Sequence, residues 1–179
     1  MRVFGIDPGS HVTGYGIVEK RGGSIVHIDN GIVRPKSSGS FPERLCDIFK
    51  NINRLIDEFR PDVIALEDIF VAKNAKTAMK LGHARGVAML AAEMKGIEVV
   101  EYQPVHVKQA ITGVGSATKN QVQLMVKAML RLPDIAAEDA SDALAVAICH
   151  LHSFTMKRMI GNATNSPKPG VRSPRSAID

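Results

Sequence analysis

The segment from Ala140 to Ile148 constrains the fold of this chain more than any other. Ala140, Ala143, Leu144, Ala145, Val146, Ala147 and Ile148 place apolar groups nearly all round a helix predicted over Glu138 to Phe154, and such a helix is largely buried. Asp142 sits in its middle. A carboxylate taken out of water needs a partner that offsets its lost hydration. Asp139 lies three residues earlier, which puts the two acids on one face with Cβ atoms about 5–6 Å apart. Like charges that close repel unless a cation or a proton joins them. A divalent metal bound by carboxylate oxygens meets both needs.

The chain before this helix alternates strands and helices. Residues 2–7 read as an apolar strand ending in Asp7, followed by the turn Pro8-Gly9-Ser10. Strands over Thr13 to Glu19 and Ser24 to Val33 complete an antiparallel meander. Apolar residues at 45, 48, 49, 52, 55, 56 and 59 carry the helical period over Glu43 to Phe59, and Arg60-Pro61 stops it. Val63-Ile64-Ala65-Leu66 is continuously apolar, the mark of a strand covered on both faces, and it too ends in an acid, Glu67. A helix over Ala75 to Lys95, a strand over Ile97 to Tyr102 and a short helix over Pro104 to Ile111 follow. Thr118 and Gln121 form a capping box at the start of the next helix. This order argues for an α/β layered sheet with some parallel pairing. Ligands in such sheets gather beyond the carboxyl ends of strands, where Asp7 and Glu67 stand.

Each acid taken singly has an ordinary structural role. Asp7 beside Pro-Gly suits a turn, Glu67 suits a strand end reaching solvent, and Asp139 suits the positive end of a helix dipole. The spacing alone does not show that the strand ends meet the last helix.

A length of 179 residues fits one domain. No apolar run approaches a membrane span, and the N-terminus is no signal peptide, so the protein is expected in the cytoplasm. Cys46 and Cys149 stand apart without metal-ligand spacing and read as two buried thiols; Met and Phe residues read as core. The net charge is +5, and the stretch Val71 to Lys127 alone holds eight cations against three anions. That surplus suits a polyanionic partner. From Thr155 onward the sequence is basic and Pro/Ser-rich, so the expected division is a folded unit over 1–154 and a disordered tail over 155–179.

Five blocks carry a family resemblance: GIDPGSHVTGYG at 5–16, ALEDIFVAKNA at 65–75, LGHARGVA at 81–88, VKQAITGVGSATKNQV at 107–122 and AEDASDALAVA at 137–147. In this order they closely resemble the RuvC family of Holliday-junction resolvases, over residues 2 to about 152. The resemblance implies a ribonuclease H-like α/β fold, a five-stranded mixed sheet flanked by helices. It implies that Asp7, Glu67, Asp139 and Asp142 are the catalytic acids and hold two Mg²⁺ ions per subunit, with Mn²⁺ as a substitute. It further implies a homodimer formed through the helix of Met79, Val87, Leu90, Ala91 and Met94, paired nicks in a four-way DNA junction, a short T-containing preference, and work beside a motor of the RuvA and RuvB type. Lys108 and Lys119 match family lysines that engage DNA, and Phe70 matches an aromatic that stacks on a junction base.

Several residues stay open at this level. Lys73, Lys76, Lys80 and His83 recur at helical spacing and fit either a phosphate track or a solvated face. His83, His106, His150 and His152 show no zinc-ligand pattern. Glu138 and Asp68 adjoin proposed ligands, but neighbouring positions point elsewhere and both are left out of the site. The alternatives are a related nuclease acting on ribosomal RNA precursors, an actin-like ATPase recognising phosphate through DPGS…TGYG, and a binding module without catalysis. The ATPase needs a second domain, and the module needs an acid lost.

Overall fold

The computed structural model describes residues 1–36, 38–68 and 75–164, with side chains through Thr155. Its elements are β1 Arg2–Asp7, β2 Thr13–Arg21, β3 Ser24–Val33, α1 Phe41–Phe59, β4 Val63–Glu67, α2 Ala75–Glu93, β5 Glu98–Tyr102, α3 Pro104–Thr112, α4 Lys119–Leu130 and α5 Glu138–Thr164. The five strands form one sheet in the order β3-β2-β1-β4-β5. β1, β2 and β3 pair antiparallel, while β1, β4 and β5 run parallel. The expected mixed five-stranded sheet with flanking helices is what forms.

Side-chain alternation divides the interior into two layers. Phe4, Ile6, Ile64 and Leu66 point to one face and pack on Ile48, Ile52, Leu55 and Ile56 of α1 and on alanines of α2. Val3, Val63 and Ala65 point to the other and meet Val107 of α3, Val122 and Val126 of α4, and Leu144 and Ile148 of α5. Covered on both sides, β4 has no polar position before Glu67. Ile64 is fully buried, and replacing it by Ala would cost about 2–5 kcal/mol through lost transfer energy and the cavity left.

The α5 backbone lies unusually close to β1 and β2. A Cβ on Gly5 would stand 2.0 Å from the carbonyl oxygen of Ala143, and one on Gly14 would stand 1.9 Å from that of Asp139. Only glycine permits this approach, which seats the first turns of α5 over the ends of the two central strands.

The strand directions collect many helix starts at one edge. Asp7, Glu67 and Tyr102 end three parallel strands there, and the register Thr13↔Val33 brings the end of β3 to the same edge. Thus α1, α2 and α3, which follow β3, β4 and β5, all begin on that side. Arg85 bonds Glu101 at 2.6 Å, beside the last residue of β5. Arg85 thus ties α2 to the end of β5 on that side.

The helix limits expected from sequence need adjustment. α1 starts at Phe41, two residues early, because the Ser40 N–H donates to Glu43 Oε2 at 2.6 Å and Pro42 tolerates the first turn. α5 runs to Thr164, ten residues beyond Phe154. Thr155 to Ile160 contains no helix breaker, and extending an existing helix adds one hydrogen bond per residue without a new nucleus. Residues 165–179 of the expected tail lie outside the described residues. Cys149 is buried as expected, but Cys46 is exposed on the outer side of α1. The methionines are not all core, since Met79 and Met94 are each 65% exposed. α2 buries only Ala84, Ala88, Ala91 and Ala92, whose small side chains let the helix lie close and turn Met79, Leu90 and Met94 outward. Among the described residues, no helix is long and apolar enough to cross a membrane.

Candidate active site

Three separate pieces of chain bring the acids together. Asp7 ends β1, Glu67 ends β4, and Asp139 and Asp142 occupy the first two turns of α5. Gly14, paired with Asp7 across the sheet, touches the Asp139 carbonyl, so the last helix starts directly above the first strand end. A cavity of about 220 Å³ opens at this edge, lined by Glu67, Lys108, Lys119 and Asp142 with Pro104 and Val107. The four acids and the two lysines singled out from sequence converge. Phe70 and Lys73 lie outside the described residues.

The electrostatics show the strain of this convergence. Burial, then the neighbouring Asp142 and Asp139 carboxylates, push the Asp7 pKa up to about 6. Burial, then Asp7 and Asp142, push Glu67 up to about 7. Burial also raises Asp142, although Lys119 opposes it. Lys119 Nζ sits 2.7 Å from Asp142 Oδ2 and 2.6 Å from Glu138 Oε1. Burial works against its charge, but the bonds to those two carboxylates outweigh it and raise the Lys119 pKa. The site thus contains more negative charge than its single bonded ammonium can match.

Local sequence explains how Lys119 is placed. The Thr118 N–H donates to Gln121 Oε1 at 2.8 Å, and the Gln121 N–H donates to Thr118 Oγ1 at 3.3 Å, closing the expected capping box. Lys119 is the next residue, so the cap fixes its origin at the helix start. The positive ends of α4 and α5 both face the acidic edge, which favours an anion approaching from solvent.

Two participants escaped the sequence reading. Glu138 shares the Lys119 ammonium with Asp142. Their i, i+4 spacing, rather than Glu138's adjacency to Asp139, was the usable signal. Arg85, only 18% exposed, joins Glu101 at 2.6 Å to Asp68 at 3.4 Å, and the Asp68 N–H donates to Tyr102 O at 2.7 Å. Asp68 is therefore tied to α2 through Arg85. His150 is buried with Nδ1 2.9 Å from the Tyr102 hydroxyl, a structural role.

The donor chemistry suits a hard divalent cation, because oxygen ligands with raised pKa values are crowded at one opening. Among the described residues, no three Asp, Glu, His or Cys side chains are gathered closely enough to hold a metal ion as they stand. One of the acids, Asp142, is instead bonded to Lys119 at 2.7 Å.

Comparison with known proteins agrees with this arrangement. Residues 3–150 match the family described as Crossover junction endodeoxyribonuclease RuvC. A protein of that description from Geobacter sp. (strain M21) is 54% identical over 160 residues, covering 89% of this chain and 98% of that one. The structure of the T. thermophilus RuvC in complex with Holliday junction substrate superposes with a TM-score of 0.83 at 33% identity, covering 88% of this chain and 96% of that chain. The yeast mitochondrial Holliday junction resolvase, at 12% identity and a TM-score of 0.67 over 90% of this chain and 83% of its own, shares the ribonuclease H-like fold alone. Matched by the family model over residues 3–150 and by a relative 54% identical across 89% of its length, the chain belongs to the RuvC family of crossover junction endodeoxyribonucleases.

Proposed function

We propose that this protein resolves four-way DNA junctions by hydrolysing phosphodiester bonds at the edge where Asp7, Glu67, Asp139 and Asp142 meet. The observation that carries the reading is the convergence of four carboxylates from three separate elements beside Lys108 and Lys119. The acids are ligands for two divalent ions, Mg²⁺ in the cell with Mn²⁺ as a substitute. Bound there, such ions supply an activated water and neutralise the departing oxygen. Lys119, held beside Asp142 in the same cavity, would be placed to meet a phosphate oxygen of the bound strand. Lys108, on the wall of the same cavity, steadies the backbone of the cut strand. Phe70 stacks on a base at the junction centre.

Two subunits act together, with the outward Met79, Leu90 and Met94 of α2 providing the apolar contact between copies. Paired nicks need two such sites on one junction. The enzyme works in the cytoplasm beside a branch-migration motor of the RuvA and RuvB type, and residues 155–179 add affinity for any DNA through their positive charge. The T. thermophilus relative bound to a Holliday junction favours this substrate over a ribosomal RNA precursor.

The test uses a labelled four-way junction and a linear duplex of matching sequence, with Mg²⁺ or with EDTA. Cutting is expected only on the junction and only with metal. Asp7→Asn, Glu67→Gln, Asp139→Asn and Asp142→Asn should each abolish it while sparing junction binding. Equal cutting of linear duplex would reject the substrate, and cutting by any one variant would remove that acid from the site.

A further inference from the structure

The inner edge of the fold carries a second cluster of cations, built by α1 and α2 rather than by α3 and α4. Phe41 begins α1, and the Arg44 guanidinium carbon lies 5.7 Å from its ring centroid. Lys80 Nζ, from α2, lies 6.0 Å from the same centroid. The His83 ring meets Phe41 edge-on at 5.5 Å. Arg44 Nη1 also lies 3.1 Å from His11 Nδ1, in the loop that leaves Asp7. The cluster is thereby tied to the acidic edge through four residues of chain.

Its charge is uncompensated. Arg2, Arg21, Arg54, Arg85, Lys95 and Lys119 are each within ion-pair distance of a carboxylate. Among the described residues, neither Arg44 nor Lys80 is. The Arg44 Nε is buried without a partner. Two cations held against one ring repel each other, and cation–π attraction of about 0.5–1 kcal/mol at exposed sites only partly offsets that. An anion bound by both would offset the rest.

Position decides which anion. Lys80 of α2 stands against Phe41, the first residue of α1, and α1 follows the end of β3 at the same edge as Asp7. Lys108 and Lys119 stand on the other side of the carboxylates. Cations therefore flank the acidic edge on both faces of the sheet, Lys108 and Lys119 on one and Arg44 and Lys80 on the other. A DNA duplex carries one charge per about 1.7 Å of axis, so a backbone laid across that edge meets both pairs.

We infer that Phe41, Arg44 and Lys80 form a second DNA-backbone contact, which holds phosphates on the α1/α2 side of the carboxylates and so sets how an arm lies across the cutting edge. The inference rests on the proposed action on junction DNA.

Junction affinity is measured against salt in Ca²⁺ for the full chain, for Arg44→Ala/Lys80→Ala, for Arg44→Lys/Lys80→Arg, and for Lys50→Ala on the exposed side of α1. The slope of log affinity against log salt should fall by about two units in the alanine pair, one per lost phosphate contact. It should stay at the parent value in the charge-preserving pair and in Lys50→Ala. An unchanged slope in the alanine pair overturns the inference, and so does an equal loss in the charge-preserving pair, which would mean packing rather than phosphate contact. Failure of the parent to prefer a junction over linear duplex would instead overturn the proposed function.

Discussion

Asp7→Asn should make the metal-free protein more stable while removing its activity. In the folded chain the Asp7 carboxyl titrates near 6 against an ordinary value of 3.8. A difference of about two units corresponds to about 3 kcal/mol between the two protonation states. The native state binds this proton more tightly than the unfolded chain, so Asp7 lowers stability as pH rises from 3.8 to 6 and costs its full amount above that. An amide has no charge to desolvate, but it must still place its polar atoms, so we expect a net gain of about 1–3 kcal/mol at pH 8. For a chain of this size that is a rise of about 2–4 °C in Tm per kcal/mol. The gain should shrink below pH 6 and vanish near pH 4. Thermal unfolding in EDTA at pH 8, 6 and 5 measures it directly. Adding Mg²⁺ should raise the Tm of the parent far more than that of the variant, because binding to the native state alone stabilises it. A variant no more stable than the parent at pH 8 in EDTA would show that the acids are not held in enforced repulsion, and the argument for a divalent ion would lose its electrostatic basis.

Other consequences are as direct. Glu67→Gln should behave like Asp7→Asn, with its gain appearing as pH rises from 4.5 to about 7, read by the same unfolding series. Lys119→Ala removes both the Asp142 and Glu138 contacts; junction binding should weaken with a salt slope lower by about one unit, and an unchanged titration would make Lys119 a purely local counter-ion. Gly14→Ala forces its Cβ against the Asp139 carbonyl and should cost about 1–3 kcal/mol or more in denaturant unfolding, with cleavage falling further than stability explains. Ending the chain at Thr164 should leave the Tm unchanged and weaken DNA binding only at low salt; a drop of many degrees would mean that the last fifteen residues pack on the fold.

What was legible in the sequence was whatever follows from local chemistry. The apolar run ending in Glu67 announces a strand covered on both sides, and the Thr118–Gln121 box announces the start of α4, because each depends on neighbours a few residues away. The meeting of Asp7 with Asp142 does not, since 135 residues separate them and only the β1–α5 contact joins them. Family resemblance filled that gap where periodicity had nothing to offer. α2 was read only in part for a related reason: Met79, Leu90 and Met94 were expected on its contact stripe and do face outward, but Ala91 was placed with them, and close packing against the sheet buries it with Ala84, Ala88 and Ala92. The cluster around Phe41 joins α1, α2 and the loop after Asp7, and no pattern within one segment could reveal it.

The seat of α5 has a consequence for how this protein can vary. Gly5 and Gly14 face backbone carbonyls, which no change elsewhere in the chain can trim away, whereas the atoms nearest a Cβ on Gly31 all belong to the Tyr15 side chain, its hydroxyl at 2.8 Å. In a saturation library selected for junction cutting, Gly5 and Gly14 should be purged as strictly as the four acids, although neither carries an atom that reaches DNA. Gly31→Ala should instead survive when Tyr15 is simultaneously shortened, a pairwise dependence that the other two glycines cannot show. Depletion alone would therefore overstate the number of chemically active positions, and the presence or absence of rescuing partners would separate the chemistry from its seat.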